Sequence, residues 1–240
     1  MPHDGGFGGT LYYAVLTENV YELKTKPLHS IPSDSKLLLS TAHANRLRAA
    51  HVYAIVSAQS GAGLATTTSD NLLKPLLELL DIEPTVHTTT SKTSHSEFLQ
   101  TTEFSVDHEN VIVILGGDTI IYDLLNSLPK NSHIKPSHRI TICPIPCGTG
   151  NALAISLGTT SVPIGISKVF GISQSGAFHD TTLPVMKINI RESERDRTVW
   201  GAVVCSWGLH ASLVADSDDP EMRKQHGANR FAVQSWSFAS

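Results

Sequence analysis

The sequence predicts an α/β fold with three layers, in which helices cover both faces of a mostly parallel sheet. Strand-like and helix-like patterns alternate from His51 to about Ala177. Two strand-like runs, 111–115 and 139–145, are rich in apolar and β-branched residues, and each leads into a glycine turn. An apolar pattern at helical spacing follows each turn. Strands that alternate with helices in this way are typical of a parallel sheet.

The composition argues against several classes of protein. A chain of 240 residues can bury a sizeable core. Its net charge of −4, with 17% charged residues, argues against a nucleic-acid-binding protein. The longest apolar run, 111–115, is far shorter than the ~20 residues that span a bilayer, and the polar, glycine-rich N-terminus lacks a signal-peptide pattern. Three cysteines form no disulfide framework, which predicts a reducing, cytoplasmic location.

The first 48 residues are predicted to form a β-rich extension. Runs 11–16 and 20–24 have the composition of two short strands, and a polar stretch with Pro27 and Pro32 follows them. No residue in this extension points to a recognisable chemistry.

The following elements alternate between strand and helix. A strand over 51–57 ends in a turn at 58–63, and the next helix carries leucines three and four residues apart, with Pro75 marking either a kink or the helix start. A strand over 84–90 and a helix over 94–104 come next, with Ser94 and Glu97 at capping-box spacing. The helix after the first glycine turn has an apolar face formed by Ile120, Ile121, Leu124, Leu125 and Leu128.

The alternation stops beyond about Ala177. Runs 183–190 and 198–207 predict an antiparallel pair joined by a charged segment, which would begin a second, β-rich lobe. We therefore predict an extension over 1–48, an α/β lobe over 49–180 and the start of a β-rich lobe over 181–240. Because residue 240 leaves no room for the rest of such a lobe, we expect a fragment, a truncated gene model or a pseudo-enzyme.

Glycine or hydroxyl residues follow each of the predicted parallel strands. In an open α/β sheet the loops at the carboxyl ends of the strands converge on one crevice. Glycines there allow backbone N–H groups to approach phosphate oxygens closely. Taken singly, the glycines could be flexible loop residues and the threonines ordinary strand residues. Together they predict a nucleotide site, with the candidates Ser57, Ser60, Gly61, Thr90, Gly116, Gly117, Gly148, Thr149 and Gly150.

Asp118 is the candidate catalytic residue, because it follows two glycines at the mouth of this crevice. It could accept a proton from an attacking hydroxyl or hold Mg²⁺ through water. Alternatively, it could cap the helix that starts near Thr119. Asp123 is read as a solvated or hydrogen-bonding carboxylate, and Asn151 as the N-cap of the next helix that could also touch ligand.

The order of these motifs carries a resemblance to a known family. Ser-Gly-x-Gly from Ser60, Gly-Gly-Asp at 116–118 and Pro-x-Gly-Thr-Gly-Asn at 146–151 together resemble the catalytic domain of diacylglycerol and sphingosine kinases. Segments 206–211 and 227–231 resemble sphingosine and ceramide kinases. The resemblance implies a three-layer, Rossmann-like nucleotide-binding lobe and a β-rich lobe that together form a lipid cleft.

The resemblance also implies roles for individual residues. Asp118 falls on the general base that activates a lipid hydroxyl, and the family's nucleotide contacts fall on Ser60, Gly61, Thr90, Gly117 and Thr149. Arg230, and more loosely Arg223, fall on arginines expected to pair with phosphates. ATP and Mg²⁺ are the implied cofactors. A lipid at a membrane surface, met peripherally, is the implied partner, whereas the sequence identifies no protein partner.

Three departures from the family pattern bear on activity. Thr119 and Ile120 replace the usual Gly-Thr after Gly-Gly-Asp, and a threonine in a left-handed conformation would cost about 1–2 kcal/mol. Ser57 replaces the usual asparagine. Ser212 stands where sphingosine kinases carry a head-group aspartate, which favours a neutral lipid.

Three functions follow from this reading. The leading one is an ATP-dependent lipid kinase that phosphorylates diacylglycerol or a sphingoid-type lipid. The alternatives are a non-catalytic nucleotide-binding fragment or pseudo-enzyme of the same family and an NAD kinase, whose family shares a Gly-Gly-Asp turn. The scattered histidines predict no metal site.

Overall fold

The structure is a computed structural model, and the residues that it describes are 9–18, 20–28, 41–58, 60–172, 180–191, 196–206, 208–217, 219–230 and 233. The chain divides into two compact units, Met1–Ala202 and Val203–Ser240. Trp207, Phe231 and most of the charged connection, 192–195, lie outside the described residues.

The strands and helices of the first unit alternate from residue 51 to residue 169. The strands are β1 Gly9–Thr17, β2 Val20–Leu28, β3 His51–Val56, β4 Thr85–Thr88, β5 Asn110–Gly116, β6 Ile140–Pro146, β7 Met186–Arg191 and β8 Asp196–Gly201. The α-helices are α1 Thr41–Ala49, α2 Leu64–Thr68, α3 Lys74–Glu78, α4 Ser94–Thr101, α5 Asp118–Ser127, α6 Ala152–Ser156 and α7 Val162–Val169. A 3₁₀ turn precedes α2, a π turn joins α2 to α3, and a 3₁₀ turn follows α5.

The central sheet is parallel and has the strand order β4-β3-β5-β6. In the register between β3 and β5, His51 lies opposite Asn110 and Val56 opposite Leu115. All seven residues of β5 are buried, which explains its continuous apolar sequence. The predicted α/β class is therefore confirmed.

Two apolar clusters cover the two faces of this sheet. Because successive side chains of a strand point to opposite faces, Val52, Ala54 and Val56 join one cluster while Tyr53 and Ile55 join the other. Helices α1, α2, α3 and α7 contribute to the first cluster, and α4 and α5 to the second. The predicted three layers are therefore present.

Prolines shape the outer edge of β6. The carbonyl of Arg139 and the N–H of Cys147, which flank this strand, both bond to β5, at 2.9 and 3.2 Å. Since backbone groups alternate in direction along a strand, Pro144 and Pro146 lie where an N–H would point away from β5. These prolines remove the donors with which a further strand would pair, next to the second glycine turn.

The cap of α4 differs from the sequence prediction, whereas Pro75 agrees with one of its two interpretations. The N-cap position of α4 is Thr93 rather than Ser94, and the Thr93 hydroxyl donates to Glu97 at 2.9 Å. The Ser94 hydroxyl instead accepts from the loop before the helix. Pro75 is the second residue of α3, which begins at Lys74 directly after the π turn. This matches the interpretation of Pro75 as a helix start, where the missing N–H is tolerated.

The antiparallel pairs are present at both ends of the first unit. β1 pairs with β2, and Tyr21 and Leu23 of β2 pack against the first apolar cluster. β7 pairs with β8, but β8 ends at Gly201, earlier than the predicted 207. The division into 1–48, 49–180 and 181–240 stays a prediction.

The secondary structure described in the second unit is helical, and residues 203–206 before it form neither helix nor strand. It contains α8 Leu209–Ser217, α9 Pro220–His226 and a 3₁₀ turn at Gly227–Asn229. Within the described residues, no helix is both long enough and apolar enough to cross a bilayer.

Candidate functional site

The candidate site lies where the four parallel strands end. The chain runs from β3 outward to β4 on one side, and from β5 outward to β6 on the other. The order of connections therefore reverses between β3 and β5. Open α/β sheets bind ligands in the crevice at such a reversal. The loops that flank it start at Ser57, after β3, and at Gly117, after β5.

Backbone and hydroxyl hydrogen bonds join the loops of the first three strands side by side. The N–H of Thr89 donates to the carbonyl of Val56 at 2.9 Å, and the Thr89 hydroxyl accepts from the N–H of Ala58 at 3.0 Å. On the other side, the N–H of Ser57 donates to the carbonyl of Leu115 at 3.0 Å. These bonds hold the loops after β4, β3 and β5 side by side. We refer to these loops, together with the loop after β6, as the row.

The two glycine turns pack directly against each other. The N–H of Gly148 donates to the carbonyl of Gly116 at 3.2 Å, and the N–H of Asp118 donates to the carbonyl of Gly150 at 3.0 Å. A Cβ on Gly117 would lie 2.6 Å from the Gly150 oxygen, and one on Gly148 would lie 2.6 Å from the Gly117 Cα. Both positions therefore require glycine because the two backbones touch.

The Asp118 carboxylate caps α6, although Asp118 itself is the first residue of α5. It accepts hydrogen bonds from the N–H groups of Ala152, at 2.7 Å, and Leu153, at 3.1 Å, in the first turn of α6. Aspartate is a good cap there, because its charge complements the free N–H groups of a helix N-terminus. The alternative that Asp118 caps the helix near Thr119 is corrected accordingly. Thr119 is a helical residue of α5 without positive φ, so the expected strain at this position is absent.

Asn151 occupies the N-cap position of α6 without capping it by its side chain. Its carbonyl oxygen accepts from the N–H of Gly148 at 3.1 Å, and its amide donates to the Gly148 carbonyl. Asn151 thus closes the second glycine turn, while Asp118 takes over the capping that was expected of Asn151.

Hydroxyl groups line the remainder of the row. The hydroxyls of Ser57 and Ser60 are 2.7 Å apart, and both residues are half-buried. Gly61 lies in the 3₁₀ turn that begins at Ser60. Thr90 and Thr149 are exposed at the tips of their loops. The structure therefore brings the predicted loop residues of the first unit together at one edge of the sheet.

A model of the diacylglycerol kinase catalytic domain matches residues 51–177, which is more than half of the chain. The chain belongs to this family. It carries a lipid kinase domain of the diacylglycerol and sphingosine kinase type.

Curated relatives agree with this assignment. The chain is 28% identical over 127 residues to sphingoid long chain base kinase 5 of Saccharomyces cerevisiae, which covers 52% of this chain and 18% of that protein. It is 26% identical over 191 residues to sphingosine kinase 1 of Rattus norvegicus, covering 78% and 48% of the two chains. It thus spans less than half the length of either relative.

Within this lipid kinase domain, Asp123 has a partner that the sequence did not reveal. Its carboxylate lies 2.8 Å from Nε2 of His95, and the His95 side chain is only 6% exposed. Asp123 is therefore a hydrogen-bonding carboxylate, which is one of the two roles that the sequence predicted for it. The available signal was that His95 lies four residues before buried Leu99, on the inner face of α4.

Asn126 is a second residue that sequence reasoning missed. Its amide donates to the carbonyl of Trp200 at 2.8 Å and accepts from the N–H of Trp200 at 2.9 Å. The side chain thus mimics a strand neighbour and joins the C-terminal half of α5 to β8. No local pattern could have indicated this, because the two residues are far apart in sequence.

The thiol of Cys147, next to the second glycine turn, is buried and protonated. Cys147 is 1% exposed, and burial raises the pKa of its thiol to about 12. Because the thiolate is the nucleophilic and metal-binding form, this residue stays protonated near neutral pH. Among the described residues, no three His, Cys, Asp or Glu side chains come together as a metal site.

Three predicted residues lie in the second unit. Ser212 is exposed on α8, Arg223 lies on α9 with a side chain outside the described atoms, and Arg230 is buried. Nη1 of Arg230 donates a hydrogen bond to the carbonyl of Gly227 at 2.9 Å. Their roles toward a ligand stay predictions.

Proposed function

We propose that this chain transfers the γ-phosphate of ATP to the hydroxyl group of a lipid. The observation that supports this most strongly is the pair of contacting glycine turns, which carries Asp118 at the reversal point of the parallel sheet. Membership of the diacylglycerol kinase family supports the same reaction.

The residues of the row would suit a nucleoside triphosphate. Phosphate oxygens would be bound by the turn 148–150, the Ser60 hydroxyl and Thr90, all of which are uncharged groups. The glycines in the turns 60–63 and 148–150 leave little side chain between the backbone and a phosphate. Mg²⁺ keeps several waters and binds mainly to substrate phosphates in kinase sites. The lack of a preformed carboxylate cluster among the described residues is compatible with this mode. Bound in this way, Mg²⁺ would neutralise the charge that develops on the transferred phosphate.

Asp118 would act as the general base. Each of its carboxylate oxygens accepts one backbone hydrogen bond and retains a second lone pair. The two bonds hold the carboxylate in one orientation, which is what proton transfer requires. In the proposed reaction the lipid hydroxyl gives its proton to Asp118 as its oxygen bonds to the γ-phosphorus. The bond between that phosphorus and the bridging oxygen of ADP breaks.

The acceptor is proposed to be diacylglycerol or a sphingoid-type lipid. The relatives named above are kinases of sphingoid bases. Ser212, however, offers no counter-charge to a cationic amino-lipid, which favours a neutral acceptor. Contact with the membrane would be peripheral and on the cytoplasmic side.

A second candidate is a nucleotide-binding protein without turnover. The observation that favours it is the engagement of both Asp118 oxygens by the α6 amides. If approach to the remaining lone pairs is blocked, ATP would bind but no proton would be taken up.

The test incubates the full chain with γ-³²P-ATP and Mg²⁺ and supplies diacylglycerol, sphingosine or NAD in separate reactions, the lipids in mixed micelles. We expect label in a lipid product, and about 10²–10⁴-fold slower labelling with the Asp118→Asn variant. Calorimetry with ATP is run in parallel. ATP binding without label in any lipid would indicate the non-catalytic alternative, and label on NAD would indicate an NAD kinase. The absence of both ATP binding and label would refute the proposal.

A further inference from the structure

A side-chain hydrogen bond joins the helices that follow β4 and β5. Nε2 of His95, on α4, lies 2.8 Å from Oδ2 of Asp123, on α5. The His95 side chain is 6% exposed and that of Asp123 is 25% exposed. Hydrogen bonds to an ionised carboxylate are stronger than neutral ones, and burial limits competition from water. The pair is therefore a firm connection between the two helices.

The first turn of α4 also holds the loop after β4. The Ser94 hydroxyl accepts hydrogen bonds from the N–H groups of Thr90, at 3.0 Å, and Ser91, at 3.4 Å. Because Ser94 and His95 are consecutive, one helical turn contacts both the Thr90 loop and α5. Any displacement of this turn would move both.

The opposite end of this connection is the proposed general base. Asp123 follows Asp118 by five residues on α5, or about 7.5 Å along the helix axis at 1.5 Å per residue. A polar path thus runs from Thr90 through Ser94 and His95 to Asp123, and along the helix to Asp118.

Strand pairing alone does not provide this connection. β4 and β5 are separated by β3, so no ladder of backbone hydrogen bonds links the ends of β4 and β5 directly. The connection from α4 to α5 spans this gap on one face of the sheet, where the two helices share an apolar cluster.

A stacked ring pair fixes α4 on its strand. The ring of His87, on β4, stacks on Phe98, on α4, with centroids 4.6 Å apart and planes 10° from parallel. Burial, aided by nearby His95, lowers the pKa of His87, so His87 stays neutral and serves as a packing ring. The His95 bond is thus made from a helix that is already held in place.

We propose that His95 and Asp123 are positioning residues, which set the distance between the Thr90 loop and the Asp118 turn. This inference rests on the proposed phosphate transfer for its kinetic consequence. Its structural consequence, coupled movement of the two loops, is independent of turnover. Neither residue needs to touch substrate.

The test compares three variants of the full chain. His95→Leu removes the bond to Asp123, and His95→Gln keeps an N–H donor at the position of Nε2. Asn131→Ala is the matched control, since Asn131 is buried and its amide donates to the Leu99 and Thr102 carbonyls at the other end of α4. Hydrogen–deuterium exchange of peptides covering 88–92 and 116–120 is measured by mass spectrometry, and kcat and KM for ATP are measured where turnover exists.

We expect His95→Leu to speed exchange about tenfold in both peptides, since one charge-assisted hydrogen bond is worth about a factor of ten or more. Asn131→Ala should leave both peptides unchanged, and His95→Gln should restore them. In the kinetic assay, kcat should fall about tenfold for His95→Leu, with a smaller change in KM, and recover in His95→Gln. Faster exchange confined to 88–92, or an equal effect of Asn131→Ala on both peptides, would overturn the inference. An inactive wild type with coupled exchange would refute the proposed function alone.

Discussion

The Asp118 carboxylate accepts a 2.7 Å hydrogen bond from the backbone N–H of Ala152. This bond crosses from the first glycine turn to the helix that follows the second. It makes one structural unit of two turns that are separated in sequence by a helix and a strand. Asp118 consequently has a structural role that does not depend on chemistry, and the two roles can be separated by substitution.

Substitution of Asp118 should affect stability and turnover to different extents. Asp118→Ala removes a helix cap, which should lower the free energy of unfolding by about 1–2 kcal/mol. Asp118→Asn retains one acceptor and should lower it less. Both should reduce kcat by about 10²–10⁴ if Asp118 is the general base, because neither side chain can take the proton. Urea unfolding and the lipid-labelling assay measure the two effects, and wild-type kcat in Asp118→Asn would exclude the base role.

The glycines of the two turns should differ sharply in their tolerance of a methyl group. In Gly117→Ala the new Cβ would lie 2.6 Å from the Gly150 oxygen, a backbone atom that cannot rotate away. We expect a loss of about 1–3 kcal/mol in the free energy of unfolding. Gly150→Ala is the matched control, because its Cβ would meet nothing closer than an Asp118 oxygen at 3.7 Å, and should change stability by less than about 0.5 kcal/mol. Equal losses in urea unfolding would contradict the observed contact.

The region of the two glycine turns shows which features the sequence could predict and which it could not. Periodicity and the position of the glycines were sufficient for the sheet, its layers and the row of loops, because these depend on patterns within about ten residues. The partner of the Asp118 carboxylate was not predicted, since capping is usually local and the nearest free N–H groups in sequence are those of its own helix. Only the adjacency of β5 and β6 brings α6 to it.

The same limit applies to the pair of His95 and Asp123. The two residues are 28 positions apart and belong to residue types that are common on exposed helix faces. The burial of His95 follows from its place on the inner face of α4, but its partner depends on the contact between two helices. Long-range polar contacts of this kind leave no periodic trace in a single sequence.

The buried carboxylate of Glu109, at the opposite edge of the sheet from the candidate site, should make stability depend on acid. Hydrogen bonds from Arg46, at 2.6 and 2.8 Å, and from Thr141 hold the pKa of Glu109 at about 2, below its usual value of 4.5. Because the folded pKa is depressed, this stabilisation is fully present above about pH 4.5 and is lost as the pH falls toward about 2.

Glu109→Gln should remove that acid dependence. The variant should be less stable by about 2 kcal/mol at neutral pH, and its free energy of unfolding should fall less steeply between about pH 4.5 and 2. Asp70→Asn is the control, since the Asp70 ion pair with Lys74 is exposed and should contribute less than about 1 kcal/mol. Urea unfolding across this pH range measures both, and parallel curves for Glu109→Gln and the wild type would contradict the assignment.

The three thiols should differ in reactivity in the folded chain. Cys147 is buried and Cys143 is half-buried, and desolvation raises the pKa of both thiols to about 12. At pH 8 only about one in ten thousand of each is then the reactive thiolate. Cys205 is exposed. We expect Ellman's reagent to label one thiol quickly at pH 8 and the other two only after denaturation.

Cys205→Ser should abolish the fast phase of this labelling and leave the slow phase unchanged. The slow phase then reports on β6 and the start of the second glycine turn, where Cys143 and Cys147 lie. A wild-type chain in which all three thiols react quickly would show that β6 does not pack against the sheet in solution. The contact between the two glycine turns depends on that packing, because β6 carries the second turn to the first.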